Sequence, residues 1–378
     1  MMAERRNIMK NTMKKILCGA VALALMIPAL ASCGGKNKNK EFFLGSTGPL
    51  SGDAASYGIS VNNGALLAVE HINAKGGVQF KFEMKDDKAD PKEATANYAL
   101  LADAGMQASL GGVTSGAGEA FAKQANAEGV FCMTPSGSAD NVIKDMKYSF
   151  RLCFGDPDQG VLAAQEIKDK GYAKVGALYD TSDTYSSGIY DAFKAEMAKL
   201  GVEYNEQKFD AENKTDFSTQ AEALKDCDVV FMPFYYNEAQ LFIKASVSKG
   251  SDAVFFGCDG FDGIAGYVED VTNKIMYITP FDVNATDEAT KNFVAAYEAK
   301  YGVKPDQFAA DAYDVVMVIA AAMEKAGVTD YSISAEELGN ILVNTVTASD
   351  FSYDGLTGKM TWDASGACTK EPNIVELN

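Results

Sequence analysis

Histidine is almost missing from this 378-residue chain, His71 being the only one. A single imidazole excludes the paired-histidine metal sites, and it gives a serine or cysteine nucleophile no base, because it lies in a helical stretch with no cysteine near it. Catalysis by Ser115 or Cys258 would have to rely on a lysine. Basic charge is scarce too: 34 Lys and Arg stand against 52 Asp and Glu, a net charge of −18. That balance argues against a nucleic-acid surface or a polybasic membrane surface. The seven cysteines form no CxxC or Cys/His pattern that would hold a metal, and nothing calls for a cofactor. Asp86 and Asp87 suggest a cation only weakly, since no third oxygen ligand follows at a suitable spacing and both precede a helix as turn formers. What remains is a globular composition, 47% apolar, in a chain long enough for two domains.

The N-terminus reads as a targeting segment. Arg5, Arg6, Lys10, Lys14 and Lys15 precede an apolar run over 16–30, too short and wrongly flanked for a membrane span. It closes on Leu30-Ala31-Ser32-Cys33, which resembles the bacterial lipobox, in which the cysteine is diacylated and becomes the first mature residue. Residues 1–32 are therefore expected to be a lipoprotein signal peptide and 33–40 a polar spacer. Removing the peptide takes away five basic residues and one acidic residue and brings the charge from −18 to −22. Among the remaining cysteines, Cys132 and Cys153 lie in consecutive strand candidates, where a disulfide and two buried thiols are both open.

The most informative stretch is 107–138. Two apolar strand candidates, 109–113 and 130–133, each empty into a loop of glycines and hydroxyls, Thr114-Ser115-Gly116-Ala117-Gly118 and Thr134-Pro135-Ser136-Gly137-Ser138. Each loop is expected to open a helix, whose free N–H groups attract an anion. Taken alone, either loop is an ordinary strand-to-helix turn; two in succession suggest a pocket wall at the carboxyl ends of parallel strands. Neither is a phosphate loop, because Ala117-Gly118 stands where Lys-Ser/Thr would be needed.

Strand and helix patterns alternate along the whole chain. A strand at 42–45 precedes a helix with Val61, Ala65, Leu66, Ala68, Val69 and Ile72 on one face. A break at 155–160 begins a second α/β series: a strand at 174–179, a polar loop over 180–187, a helix over 188–200 and further alternation to Cys258-Asp259-Gly260. Helices at 288–300, 308–326 and 335–346 follow, then a hairpin-like tail and an edge strand at 374–377. The expected fold is α/β, with two similar domains, each an open and mainly parallel sheet flanked by helices. Domain 1 is expected to take 41–154 and 281–370, domain 2 155–280 and 371–378, joined by a three-crossing hinge.

Several stretches together resemble one family, the extracytoplasmic solute-binding proteins of the leucine/isoleucine/valine-binding type. They are Gly48-Pro49-Leu50-Ser51-Gly52 with Tyr57-Gly58, Ile72-Asn73-Ala74-Lys75-Gly76-Gly77, Asp86-Asp87 with Asp90-Pro91, Asp158-Gln159-Gly160, and Leu356-Thr357-Gly358-Lys359 through Trp362-Asp363. The resemblance implies two periplasmic-binding-protein type I domains that close over a small molecule and deliver it to the permease subunits of an ABC transporter. It implies no enzyme activity and no cofactor, and a monomer held to a membrane through lipid on Cys33. It places the ligand carboxylate on Ser115, Ser136 and Ser138, aromatic walls at Tyr57 and Tyr185, and further contacts at Tyr235 and Phe308. Asp259 stands where the family often has glutamate for the ligand ammonium, one methylene shorter. Phe234, Tyr236 and Phe261 crowd the same positions, as an aromatic subsite or as ordinary core. The expected solute is an amino acid, branched-chain first; a ligand-sensing domain, or a binder of an amide, urea-like or carboxylic acid solute, is the alternative.

Overall fold

The computed structural model describes residues 40–377; the signal peptide, Cys33 and most of the spacer lie outside the described residues. Its first sheet is parallel and ordered β2-β1-β3-β4-β5, from strands Phe42–Gly48 (β1), Phe80–Asp86 (β2), Ala108–Gly112 (β3), Phe131–Thr134 (β4) and Ser149–Arg151 (β5). The second, ordered β13-β10-β9-β8-β6-β7, joins Val175–Asp180 (β6), Asn205–Phe209 (β7), Val229–Met232 (β8), Val254–Gly257 (β9) and Ile275–Thr279 (β10), all parallel. The edge strand Asn373–Glu376 (β13) pairs antiparallel with β10, while Tyr353–Gly355 (β11) and Gly358–Met360 (β12) form the separate hairpin. β1, β3 and β4 are buried on both faces, as helix-covered parallel strands are.

Helices cover the sheets. Ala55–Lys75 (α1), Pro91–Asp103 (α2) and Ser115–Glu128 (α3) follow the first three strands; Asp156–Lys170 (α4), Thr184–Leu200 (α5), Ser218–Leu224 (α6) and Tyr236–Ser248 (α7) belong to the second series. Glu288–Tyr301 (α8), Gln307–Lys325 (α9) and Ala335–Val346 (α10) complete the set among the described residues. Asp90, Asp183, Asp287 and Asp306 each cap a helix by accepting first-turn N–H groups, so part of the acidic surplus serves local folding. Asp86 does similar work in its turn, accepting from Leu50 N at 2.9 Å and Lys88 N at 3.0 Å. The long α9 packs against α1, and Gly64 permits this: a Cβ there would lie 2.0 Å from the Ala309 carbonyl oxygen. Gly58 likewise admits the Pro49 carbonyl to the start of α1.

Four local expectations need correction. The loop after β4 opens no helix but a single short turn, Asp140–Val142, because only fourteen residues separate β4 from β5 and Asp145 breaks them with φ 58°. The break at 155–160 contains the first turn of α4, with Pro157 in that turn and Gly171 in a left-handed cap. The polar loop over 180–187 is half helix, since Asp183 caps α5 from Thr184 onward. On α1 it is Leu67 that is buried, while Leu66 is exposed. Cys132 and Cys153 are buried free thiols.

Candidate functional site

In an open α/β sheet the ligand crevice lies at the carboxyl ends of the strands, where the strand order reverses. Here the reversals fall between β1 and β3 in one sheet and between β6 and β8 in the other. Residues beyond these strands and beyond the adjoining β4 and β9 meet one another. Tyr57, Ser115, Ser136, Tyr185, Tyr235, Asp259 and Phe308 all border one small interior cavity, together with Val113, Thr114 and Gly260. Its volume is about 10 Å³, the space of about one water. An amino-acid-sized solute therefore enters only if the walls part.

The first wall comes from the hydroxyl loops. Ser115 is the first residue of α3, and first-turn N–H groups have no partner within their own helix. Its Oγ accepts from Ala139 N at 3.3 Å, Ser136 Oγ donates to the Val113 carbonyl at 2.8 Å, and Thr134 Oγ1 joins the two loops by donating to the Gly112 carbonyl at 2.7 Å. The wall thus offers neutral donors and no full charge. Ser138, expected beside them, is fully buried but does not border this cavity. Its carbonyl accepts from Arg151 Nη1 at 2.8 Å and from Asp156 N at 3.1 Å.

The opposite wall holds the carboxylate. Asp259 Oδ1 accepts from Tyr185 OH at 2.6 Å and Gln159 Nε2 at 3.1 Å. Its backbone N donates to Gln159 Oε1 at 3.0 Å, and its carbonyl accepts from Gln307 Nε2 at 2.6 Å. Burial pushes the Asp259 carboxyl up to about 6, the Tyr185 and Gln159 bonds offsetting part of that rise. Gln159 and Gln307 position this group and carried no role in the sequence reading; the available signal was an amide on the apolar face of a helix. Tyr185 stacks on Tyr235 with centroids 4.9 Å apart, and Tyr57 packs on Phe308 at 4.4 Å.

Tyr57 also ties the walls together. Its hydroxyl donates to the Gly260 carbonyl at 2.5 Å and accepts from Tyr236 N at 3.1 Å. Lys214 makes a second tie in an adjoining recess of about 430 Å³, pairing with Asp53 at 3.4 Å and with Glu238 at 3.0 Å. Phe234, Tyr236 and Phe261 are core: Phe234 packs edge-on against Phe209, Tyr236 edge-on against Tyr57, and Phe261 covers Gly257. His71 Nδ1 meets Tyr313 OH at 2.9 Å, on α1 but outside the cavity. No cluster of metal-ligating side chains occurs among the described residues.

Two α/β lobes whose strand ends face each other across a small polar and aromatic cleft define a two-lobed solute-binding protein. The chain belongs to the periplasmic binding protein family, whose profile matches residues 41–372, and within it to the leucine/isoleucine/valine-binding type. The leucine-, isoleucine-, valine-, threonine- and alanine-binding protein of Pseudomonas aeruginosa is 30% identical over 327 residues, covering 84% of this chain and 85% of that protein. A branched-chain amino acid transporter substrate binding protein of Streptococcus pneumoniae, solved with isoleucine, has a TM-score of 0.77 at 29% identity and covers 89% of this chain and 99% of its own. An ABC-transporter solute binding protein of R. palustris, solved with benzoate, shares the fold with a TM-score of 0.79 at 21% identity, over 89% of this chain and 93% of its own. The protein is thus an extracytoplasmic solute-binding protein and not an enzyme. No helix among the described residues is long and apolar enough to cross a membrane.

Proposed function

We propose that this protein captures a small α-amino acid, branched-chain first, in the cleft between its lobes and delivers it to the permease subunits of an ABC transporter. The observation that carries this reading is the polarity of the cleft: neutral donors at the start of α3 face a buried carboxylate, Asp259, across four aromatic rings. Donors without charge suit a carboxylate, an acceptor suits an ammonium, and the rings between them suit an apolar side chain. Ser115, Ser136 and Ser138 take the carboxylate; Tyr57, Tyr185, Tyr235 and Phe308 form the walls. Domain 1 comprises 41–154 and 281–370, domain 2 155–280 and 371–378, and closure turns about Phe154-Gly155, Thr279-Pro280 and Glu371-Pro372. The chain works as a monomer, tethered through lipid on Cys33.

Titration calorimetry of L-leucine, L-isoleucine and L-valine against 4-methylpentanoate and benzoate tests the reading. Amino acids binding at least ten-fold more tightly than the matching amine-free acid support it; the reverse order makes the solute a carboxylic acid. That second reading is favoured by one observation, that Asp259 Oδ1 already accepts two hydrogen bonds. The tether has its own test: Cys33→Ser should move the protein from the membrane to the soluble fraction, and retention there would show an uncleaved anchor.

A further inference from the structure

Beyond Arg5 and Arg6 near the N-terminus, Arg151 at the end of β5 is the only arginine of this chain, and lysine supplies the remaining cationic side chains. A planar fork of donors is therefore used at one place in the fold. The Arg151 side chain is 8% exposed, and the carboxylate it reaches, Asp140 at 3.4 Å, is 61% exposed and so largely screened by water. A buried guanidinium with so weak a counter-charge is costly and needs a reason. The fold makes room for it, since a Cβ on Gly155 would lie 2.3 Å from Arg151 Nη2. The group is not a saturated clamp, because its Nε has no hydrogen-bond partner.

The bond that Arg151 does make leads toward the solute cavity. Its Nη1 donates to the Ser138 carbonyl at 2.8 Å, and the N–H of the same peptide unit, that of Ala139, donates to Ser115 Oγ at 3.3 Å. Carbonyl and N–H of a trans peptide point opposite ways, so a cation on the carbonyl polarises the unit in the sense that makes its N–H a better donor. A hydroxyl that accepts at its oxygen becomes a better donor in turn. Ser136 Oγ spends its hydrogen on the Val113 carbonyl. Ser115 Oγ, having accepted from Ala139, keeps its hydrogen for the cavity that this residue borders.

We propose that Arg151 is a positioning residue for the solute carboxylate: through the Ser138-Ala139 peptide it turns the Ser115 hydroxyl toward the cavity and strengthens it as a donor. The inference rests on the carboxylate end of the reading above, which an amino acid and an amine-free acid share. It accounts for a wall of neutral groups facing an anion, because the full charge stands one peptide and one hydroxyl behind that wall, held before the solute arrives.

The test is a double-mutant cycle with Ser115→Ala, read by calorimetric titration of the mature protein with L-leucine and with 4-methylpentanoate, the same skeleton without the amine. Arg151→Met should weaken whichever of the two binds by about three- to ten-fold, no more than Ser115→Ala itself does. Once Ser115→Ala is present, Arg151→Met should cost less than about two-fold, because the relay then has no hydroxyl to act on. Arg151→Lys keeps a charged donor and should recover most of the loss. Gly155→Ala is a charge-preserving second variant should Arg151→Met fail to fold: its new Cβ would crowd Arg151 Nη2 and move the guanidinium aside, with the same Ser115-dependent loss. Affinity unchanged in Arg151→Met overturns the proposal while the solute reading stands. Equal losses with and without Ser115 make Arg151 a structural residue and overturn it too. Wild-type protein that binds neither ligand ends the carboxylate reading and this relay with it.

Discussion

Tyr57→Phe isolates the contribution of one hydroxyl to closure of the cleft. The ring stays, so its packing on Phe308 and its edge contacts with Tyr235 and Tyr236 survive. What disappears is the pair of bonds to the Gly260 carbonyl and the Tyr236 N–H, which link the start of α1 to the second lobe. Burial keeps this phenol protonated, so it is a donor at every physiological pH. Two buried hydrogen bonds at about 0.5–1.5 kcal/mol each make a loss of about 1–3 kcal/mol from the closed form. When the lobes part, both backbone groups regain water, so the loss falls on the closed form alone. The closed-to-open ratio should drop by roughly 5- to 150-fold. Apparent affinity should fall as the closed fraction falls, by up to that factor, because only the closed arrangement completes the site. Small-angle scattering without ligand should show a larger radius of gyration in the variant, and calorimetry a weaker Kd. If both stay at wild-type values, Tyr57 does not hold the lobes together and the reasoning fails.

Other perturbations separate the two ends of the site and the stability of its frame. Ser115→Ala should weaken any carboxylate solute by about ten-fold, with or without an amine, whereas Asp259→Asn should weaken only amine-bearing ones; equal effects on both ligand classes would refute the assignment of ends. The Asp87, Asp183 and Asp259 carboxyls are all pushed up to about 6 by burial, above their unfolded value near 3.9. The folded state therefore holds more protons between about pH 4 and 6, and stability falls as pH rises through that window. The Tm of unliganded protein should be higher at pH 5 than at pH 7, and a flat or inverted profile would show that these groups gain compensating partners on folding. Lys370, fully buried, donates to Asp311 at 2.9 Å and to Thr357 Oγ1 at 2.7 Å. Lys370→Met should cost about 3–5 kcal/mol in urea unfolding by stranding the Asp311 charge, and a double variant with Asp311→Leu should recover much of it; a single-variant loss under 1 kcal/mol would contradict this.

The sequence by itself determined the alternation of strands and helices, the two α/β series and the loops that carry the site, because apolar periodicity, glycines and capping residues act over a few positions. The helix at 335–346 could be placed to the residue, as Ser334 caps it by accepting from Glu337 N. Local signals failed where long-range packing competes with them. Leu66 and Leu67 are equivalent by hydrophobicity, and only the approach of α9 at Gly64 decides which one is covered. Phe234, Tyr235 and Tyr236 are three aromatics in a row; the turn into α7 aims the middle ring at the cavity and sends its neighbours into the core. Residues 100 apart in the chain, Gln159 and Asp259, make reciprocal bonds that no periodicity encodes. The folded chain alone decides which hydroxyls are spent on neighbouring loops and which carboxylates are buried, since burial and partner count are properties of the assembled lobes and not of any stretch of sequence.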